Sequence, residues 1–201
     1  MGSRRGILPA FPSSQAIPTP TMLIIEILAA LSASAAAGIR IALPLLTIGL
    51  LQGDNLWSQV PLLNYIYPPV LLSILISWSL IELFASKKLL GQRVLQLIQL
   101  ALSPIAGAIM GLTVAEPTTP RWLIALISGL LALVLQLVQV GWFYRLRGLP
   151  LWVVFLQDIL SITLVYLALE APLLGGLIAL TLLWLAVRSS KQWQRWYRNP
   201  P

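Results

Sequence analysis

Long apolar runs without charges alternate with short polar segments along most of the chain. Because the apolar core of a bilayer is about 30 Å thick and takes about 20 helical residues, these runs predict an all-α, polytopic membrane helix bundle. About six transmembrane helices are expected, approximately at residues 22–43, 68–85, 93–115, 121–144, 150–169 and 172–187. The first run continues to Leu51, which is too long for one upright helix. Residues 44–51 are therefore expected to form a short second piece near the outer surface.

The first predicted span contains a charge and a proline in apolar surroundings. A run of small residues ends at Gly38, Arg40 follows, and Pro44 stands four residues after the arginine. Proline has no N–H to donate to the carbonyl group of residue 40, and its ring clashes with that group. Irregular backbone is tolerated in a bilayer only where protein or water satisfies it. We therefore expect the first helix to be broken between Gly38 and Pro44, with Arg40 binding the freed carbonyl groups in the outer half of the membrane.

Composition agrees with a membrane protein and narrows its chemistry. Hydrophobic residues make up 58% of the chain and charged residues only 9%, so the apolar surface exceeds what a soluble domain of this length can bury. The chain has no cysteine and no histidine, which excludes thiol and imidazole catalysis and the usual zinc ligands. No nucleophile is paired with a base along the sequence. We expect no enzymatic activity, no cofactor and no metal site.

The Lys and Arg residues predict the orientation of the helices. In the six-helix arrangement, eleven of the thirteen basic residues fall on one side, and Arg121 alone lies on the other. Basic residues accumulate on the cytoplasmic side, which places both termini there. Residues 1–21, rich in proline and serine, are predicted to be a disordered cytoplasmic tail, followed by a transmembrane domain at 22–189. The basic, aromatic tail at 190–201 is expected to bind anionic lipid headgroups rather than nucleic acid.

Small residues indicate which helix faces pack closely. Ser103, Gly107 and Gly111 recur every four residues on the third predicted span, and such a stripe lets two helix backbones approach each other in a membrane. The stripe fits packing within one monomer, and it also fits the seam of a homodimer.

Polar side chains recur at a similar depth in several of the predicted spans. Measured at 1.5 Å per residue from the cytoplasmic ends, eight of them fall in the inner halves of their helices: Glu26, Glu82, Gln96, Gln99, Gln136, Gln139, Gln157 and Asp158. Such groups are costly when they face lipid, so they predict a polar cavity open to the cytoplasm. They also fit side chains that reach headgroup water or link helices by hydrogen bonds. Within the cavity Asp158 is expected to bind a proton or a cation, with Arg40 at a different depth.

Several of these residues together resemble a known bacterial membrane family. The chain is similar to the family called domain of unknown function 4126 in Gly38, Arg40 and Pro44 of the first span, Glu82 and Lys87 at the end of the second, Ser103 and Pro104 of the third, and Asp158 of the fifth. The resemblance covers about residues 22–195 and is strongest for cyanobacterial members. It implies a helical membrane fold in a plasma or thylakoid membrane. It implies no activity.

Two function classes follow from these patterns. The broken first helix and the inner polar layer favour a small transporter or channel with a cytoplasm-facing cavity. The small size and the glycine stripes favour a non-catalytic membrane partner, or an assembly factor for a larger complex.

Overall fold

The described part of the chain consists of seven helices and contains no strand. In this computed structural model, residues 20–52, 67–85, 89–115, 120–146 and 150–198 are described. The helices are α1 (Pro20–Ile39), α2 (Ala42–Gln52), α3 (Pro68–Ala85), α4 (Leu89–Val114), α5 (Arg121–Leu146), α6 (Leu151–Glu170) and α7 (Pro172–Arg198).

Proline marks the start of most of these helices. Pro20, Pro68 and Pro172 are the first residues of α1, α3 and α7, while Pro120 and Pro150 directly precede α5 and α6. The first N–H groups of a helix have no partner within the helix, and the fixed φ angle of proline already suits a helix. Proline therefore begins these helices without the loss of a hydrogen bond.

The helices have the length and composition of membrane spans. Within the described residues, five of them, α1, α4, α5, α6 and α7, are long and apolar enough to cross a bilayer, and α2 and α3 contain shorter apolar segments. The predicted all-α membrane bundle is confirmed, and the expected count of about six spans is close. Their apolar side chains include many that are exposed on the surface of the bundle, as lipid contact requires.

Helix α1 occupies the centre of the bundle because its side chains are small. Ala33, Ala35, Ala36 and Ala37 are completely buried, and α1 packs against α4, α5, α6 and α7. Gly38 faces the backbone of Ala132 in α5, where an added Cβ would lie 2.8 Å from the Cα atom. The small side chains of α1 thus allow four helices to surround one.

Contacts along α1 determine its direction in the bundle. Ser32 Oγ donates a 2.8 Å hydrogen bond to the carbonyl oxygen of Leu164 in α6. Eight residues further along α1, Arg40 pairs with Asp158, which stands six residues earlier in α6. Helices α1 and α6 are therefore antiparallel.

Contacts with α5 give the same direction for α1. Gly38 packs against Ala132, close to the middle of α5, whereas Ala30 clusters with Ile124 near the start of α5, so α1 and α5 are parallel. Helix α4 is antiparallel to α5. One end of the bundle thus holds the start of α4, the end of α5, the start of α6 and the end of α7. We call it the basic end, after Arg93, Arg145 and Arg188.

The expected direction of the first helix is wrong. The six-span arrangement makes α1 parallel to α4 and α6, with its start beside the basic end, but the structure places that start at the opposite end. Arg4 and Arg5, the two of the eleven cytoplasmic basic residues that precede the first span, stand at least 15 residues before α1, at the limit of the distance over which basic residues influence a span. In addition, α1 and α3 both end toward the basic end, so they are not successive crossings in opposite directions.

The break in the first apolar run lies at residues 40 and 41. Gly38 is still part of α1, and Pro44 stands in the first turn of α2, where a missing N–H leaves no helical carbonyl unpaired. The short second piece was expected near the outer surface, but it starts inside the bundle, since Ala42 and Ile48 are completely buried and α2 packs against α3 and α6.

The predicted domain boundaries lie partly outside the described residues. The tail at 1–21 lies almost wholly outside them. At the other end α7 continues without interruption to Arg198, so the backbone of the predicted tail at 190–198 extends the last span.

Candidate functional site

An ion pair lies at the break between α1 and α2. Arg40 Nε is 2.8 Å from Asp158 Oδ1, and the two side chains are 6% and 17% exposed. The N–H group does not point straight at the oxygen, so the contact is an ion pair rather than a linear hydrogen bond. These two residues were expected at different depths. That expectation is wrong because α1 runs antiparallel to α6, so its last residues lie beside the first half of α6.

A second carboxylate, Glu82 of α3, lies close enough to this pair to interact electrostatically with both of its members. Its side chain is 3% exposed. Trp78 Nε1 donates a 2.9 Å hydrogen bond to Glu82 Oε1, and Gln99 Nε2 of α4 donates one of 3.0 Å to the same oxygen. The other oxygen, Oε2, is buried without a hydrogen-bond partner in the described residues. Three ionisable side chains from three parts of the chain therefore lie in one region inside the bundle.

Glutamine side chains surround the charged groups. Gln136 Nε2 of α5 donates a 3.1 Å hydrogen bond to Gln96 Oε1 of α4, and both residues are buried. A small cavity of about 20 Å³ lies beside them, and its polar lining is Arg40, Gln92, Gln96, Gln99, Gln139 and Gln157. A cavity needs a volume of roughly 10–15 Å³ to hold one water molecule. The polar cluster, by which we mean Arg40, Glu82, Gln96, Gln99, Gln136 and Asp158, thus adjoins space for about one water.

Several buried polar atoms in this region have no hydrogen-bond partner in the described residues, and they include the donor Arg40 Nε. Glu82 Oε2, Gln136 Oε1 and Gln139 Oε1 are buried and have no partner in the described part of the chain. A buried acceptor without a donor costs about 1–3 kcal/mol. The region is therefore chemically suited to a proton, a water molecule or a small cation.

A wider apolar cavity lies between this region and the basic end. It has a volume of about 270 Å³ between α5, α6 and α7, and it shares Ile39, Gln139 and Gln157 with the small polar cavity. Its other end is formed by Trp142 and Ser189, whose side chains are joined by a 2.8 Å hydrogen bond from Trp142 Nε1 to Ser189 Oγ. The polar cavity that was expected to open toward the cytoplasm stays a prediction, and the structure shows a small polar cavity beside a larger apolar one.

A family model described as a domain of unknown function (DUF4126) matches residues 27–192. The chain belongs to this family. The match extends from α1 into α7 and includes every residue of the polar cluster. No curated protein and no solved structure matches the chain.

One residue expected in the cavity of this DUF4126 protein lies elsewhere. Glu26 is buried near the start of α1, 13 residues before the end of that helix, and so about 20 Å from the polar cluster along the helix axis. The expectation failed because α1 points the opposite way. The same reversal that removes Glu26 from the cluster brings Arg40 into it.

The small-residue stripe of α4 packs against α5 of the same chain. An added Cβ at Gly107 would lie 2.8 Å from the carbonyl oxygen of Ser128, and one at Gly111 would overlap the Ser128 side chain. Opposite them, Gly129 of α5 approaches the carbonyl oxygen of Pro104. Ser103 is completely buried. These contacts place Gln96 and Gln136 at the same depth, because they fix how α4 and α5 are aligned.

Sequence reasoning missed two contributors to the site. Trp78 was not among the predicted site residues, yet its indole N–H donates a hydrogen bond to Glu82. Gln92 also lines the polar cavity. The spacing could have shown both, since Trp78 stands four residues before Glu82 and Gln92 four before Gln96, the separation that places side chains on one helix face.

Proposed function

We propose that this protein is a small membrane transporter whose solute site is the polar cluster at the break between α1 and α2. The observation that carries the proposal is the Arg40–Asp158 ion pair, buried within the spans together with a second carboxylate, Glu82. Ionisable groups inside a membrane bundle are costly and mark solute, ion or proton pathways. Packing alone would be served better by apolar residues, because a buried ion pair seldom adds net stability.

The broken helix supports the same function. Many transporters bind solutes near the middle of the membrane at discontinuous helices, whose free backbone groups and half-helix ends contact the solute. Here α1 ends at Ile39 and α2 begins at Ala42, and Arg40 lies between the two helix ends. Asp158 stands seven residues into α6, about 10 Å from its start, so the cluster is well inside the membrane.

The apolar cavity supplies the approach to this site. It reaches from Trp142 and Ser189 near the basic end to Gln139 and Gln157 beside the cluster. The small polar cavity holds about one water, so the structure corresponds to a closed state, and transport requires the helices around Gln139 and Gln157 to separate.

The distribution of basic residues gives the orientation of the transporter. Arg93, Arg145 and Arg188 lie toward the basic end, whereas Arg121 lies at the start of α5, at the opposite end. Basic residues face the cytoplasm, so the approach to the cluster opens on that side. The C-terminus is then cytoplasmic, where its basic, aromatic residues contact anionic lipid, and α1 starts on the outer side. A bacterial plasma or thylakoid membrane suits this arrangement.

Reconstitution into liposomes tests the transport function. Purified protein would be incorporated into vesicles that contain a pH-sensitive dye, and gradients of protons, Na⁺ or K⁺ would be imposed in turn. Flux above that of protein-free vesicles is expected for at least one gradient. This flux should be lost in Asp158→Asn. It should also be lost in the double variant Arg40→Gln/Asp158→Asn, which removes both charges of the ion pair and serves in case the single substitution prevents folding.

Arg93→Gln is the matched control, since Arg93 is an exposed basic residue of α4 and not a member of the cluster. It should carry the solute like the parent protein. Flux that survives in the folded double variant would contradict the assignment of the site, and the absence of flux in the parent under every gradient would contradict transport itself.

One observation favours a second candidate function, that of a non-catalytic membrane partner. The outer side of α3 carries an open groove of about 540 Å³, and the polar side chains of Ser73 and Ser77 lie along it. Their hydroxyl groups donate only to carbonyl groups of their own helix. A helix of another subunit or of a second copy could occupy this groove. A stoichiometric partner that co-purifies with the parent, but is lost from Ser73→Leu/Ser77→Leu, would support this function.

A further inference from the structure

The charges of the polar cluster do not balance. Arg40 contributes one positive charge, and Asp158 and Glu82 contribute one negative charge each when both are ionised, so the cluster would carry a net charge of minus one. Among the described residues, the other charged side chains of the packed helices do not correct this. Arg93 is exposed, and Glu26 lies near the other end of α1. An uncompensated charge in the interior of a bundle is very costly, so one positive charge must be supplied.

The contacts of the two carboxylates show which of them lacks a counter-charge. Asp158 has the guanidinium group of Arg40 as its counter-charge, 2.8 Å away. Glu82 has no cationic group within salt-bridge distance in the described residues, and its hydrogen bonds come from two neutral donors, Trp78 and Gln99. Of the two carboxylates, Glu82 is therefore the one left without compensation.

The geometry at Glu82 matches a neutral carboxyl group. Both donors bind Oε1, which uses the two lone pairs of a carbonyl oxygen. Oε2 receives no donor at all, although it is buried. An ionised carboxylate would leave half of its charge unsolvated in this arrangement. A proton on Oε2 removes the charge and turns that atom into a donor.

We propose that Glu82 is the proton-binding residue of this protein, and that it releases its proton when the polar cluster opens, so that transport is coupled to protons. The coupling to protons rests on the proposed transport function, whereas the bound proton on Glu82 does not. In the closed state Glu82 is neutral and the Arg40–Asp158 pair is intact. When water or a solute enters beside Gln99, which both binds Glu82 and lines the polar cavity, the proton leaves to water and the carboxylate becomes a second partner for Arg40.

Infrared difference spectroscopy of the purified protein tests the bound proton without any need for transport. A protonated, buried carboxyl group has a carbonyl stretch that ionised carboxylates lack. The parent protein should show this band near neutral pH, and Glu82→Gln should lose it while remaining folded, because an amide can accept the same two hydrogen bonds. Glu170→Gln removes an exposed glutamate of α6 and should keep the band.

Flux measurements in liposomes then test the coupling. Uptake of Na⁺ or K⁺ driven by a pH gradient should be lost in Glu82→Gln, whereas Glu170→Gln, which changes an exposed residue outside the cluster, should retain it. A parent protein without the band, or a band that persists in Glu82→Gln, would overturn the proposal even if solute flux is normal. A Glu82-dependent band in a protein that carries no solute would refute the transport function and leave the proton site intact.

Discussion

Arg40→Gln and Asp158→Asn should each destabilise the protein strongly when made alone, and much less when made together. Each single substitution leaves the other member of the buried pair without its counter-charge. The double variant replaces both charges with amides that can still hydrogen-bond to each other across the same 2.8 Å contact. The two residues should therefore show a large coupling energy in a double-mutant cycle.

The burial of the pair sets the size of the effect. Removing one partner of a buried ion pair costs about 3–5 kcal/mol, while the double variant should lose about 1–3 kcal/mol, the range for imperfectly satisfied buried polar groups. The coupling energy is then several kcal/mol. Asp158→Asn should be the milder single change, because Glu82 can release its proton and become the counter-charge of Arg40. Arg40→Gln leaves two carboxylates and no cation.

Unfolding in mixed micelles at increasing fractions of a denaturing detergent, followed by far-ultraviolet circular dichroism, measures these free energies. Arg93→Gln, an exposed basic residue on α4, is the control and should change the stability by less than about 0.5 kcal/mol. Effects of Arg40→Gln and Asp158→Asn that simply add, within about 0.5 kcal/mol, would refute the pairing. They would also remove the main evidence that α1 is antiparallel to α6.

Two further predictions concern packing and direction. Gly38→Leu should lower the free energy of unfolding by about 3 kcal/mol or more in the same assay, because a side chain there meets the backbone of α5 at 2.8 Å. Ala101→Leu, on the exposed face of α4, should be nearly neutral. Equal stability of the two variants would contradict the central position of α1. Since the chain has no cysteine, single cysteines at Met22, Pro120 and Pro150 can be labelled with a membrane-impermeant maleimide. Met22→Cys and Pro120→Cys should react from one side of the membrane and Pro150→Cys from the other. Labelling of Met22→Cys and Pro150→Cys from the same side would restore the six-span orientation.

The sequence by itself determined the class of fold and most of the polar cluster. Apolar runs of bilayer length predict the spans, and proline predicts where several of them begin, because both signals are local. The depth of a side chain within its own helix is also local. Glu82, Gln96, Gln99, Gln136 and Asp158 could therefore be assigned to one layer from their distances to the charged ends of α3, α4, α5 and α6.

Only the tertiary structure decided which residues of α1 join that layer. The direction of a helix depends on how many times the chain has already crossed the membrane, and the break at residues 40 and 41 changes that number without any change in the apolar pattern. Reversing α1 exchanges its two ends. It moves Glu26 about 20 Å away from the cluster and brings Arg40 to within 2.8 Å of Asp158. The pairing that gives the site its charge balance is a contact between distant parts of the chain, and no local pattern encodes it.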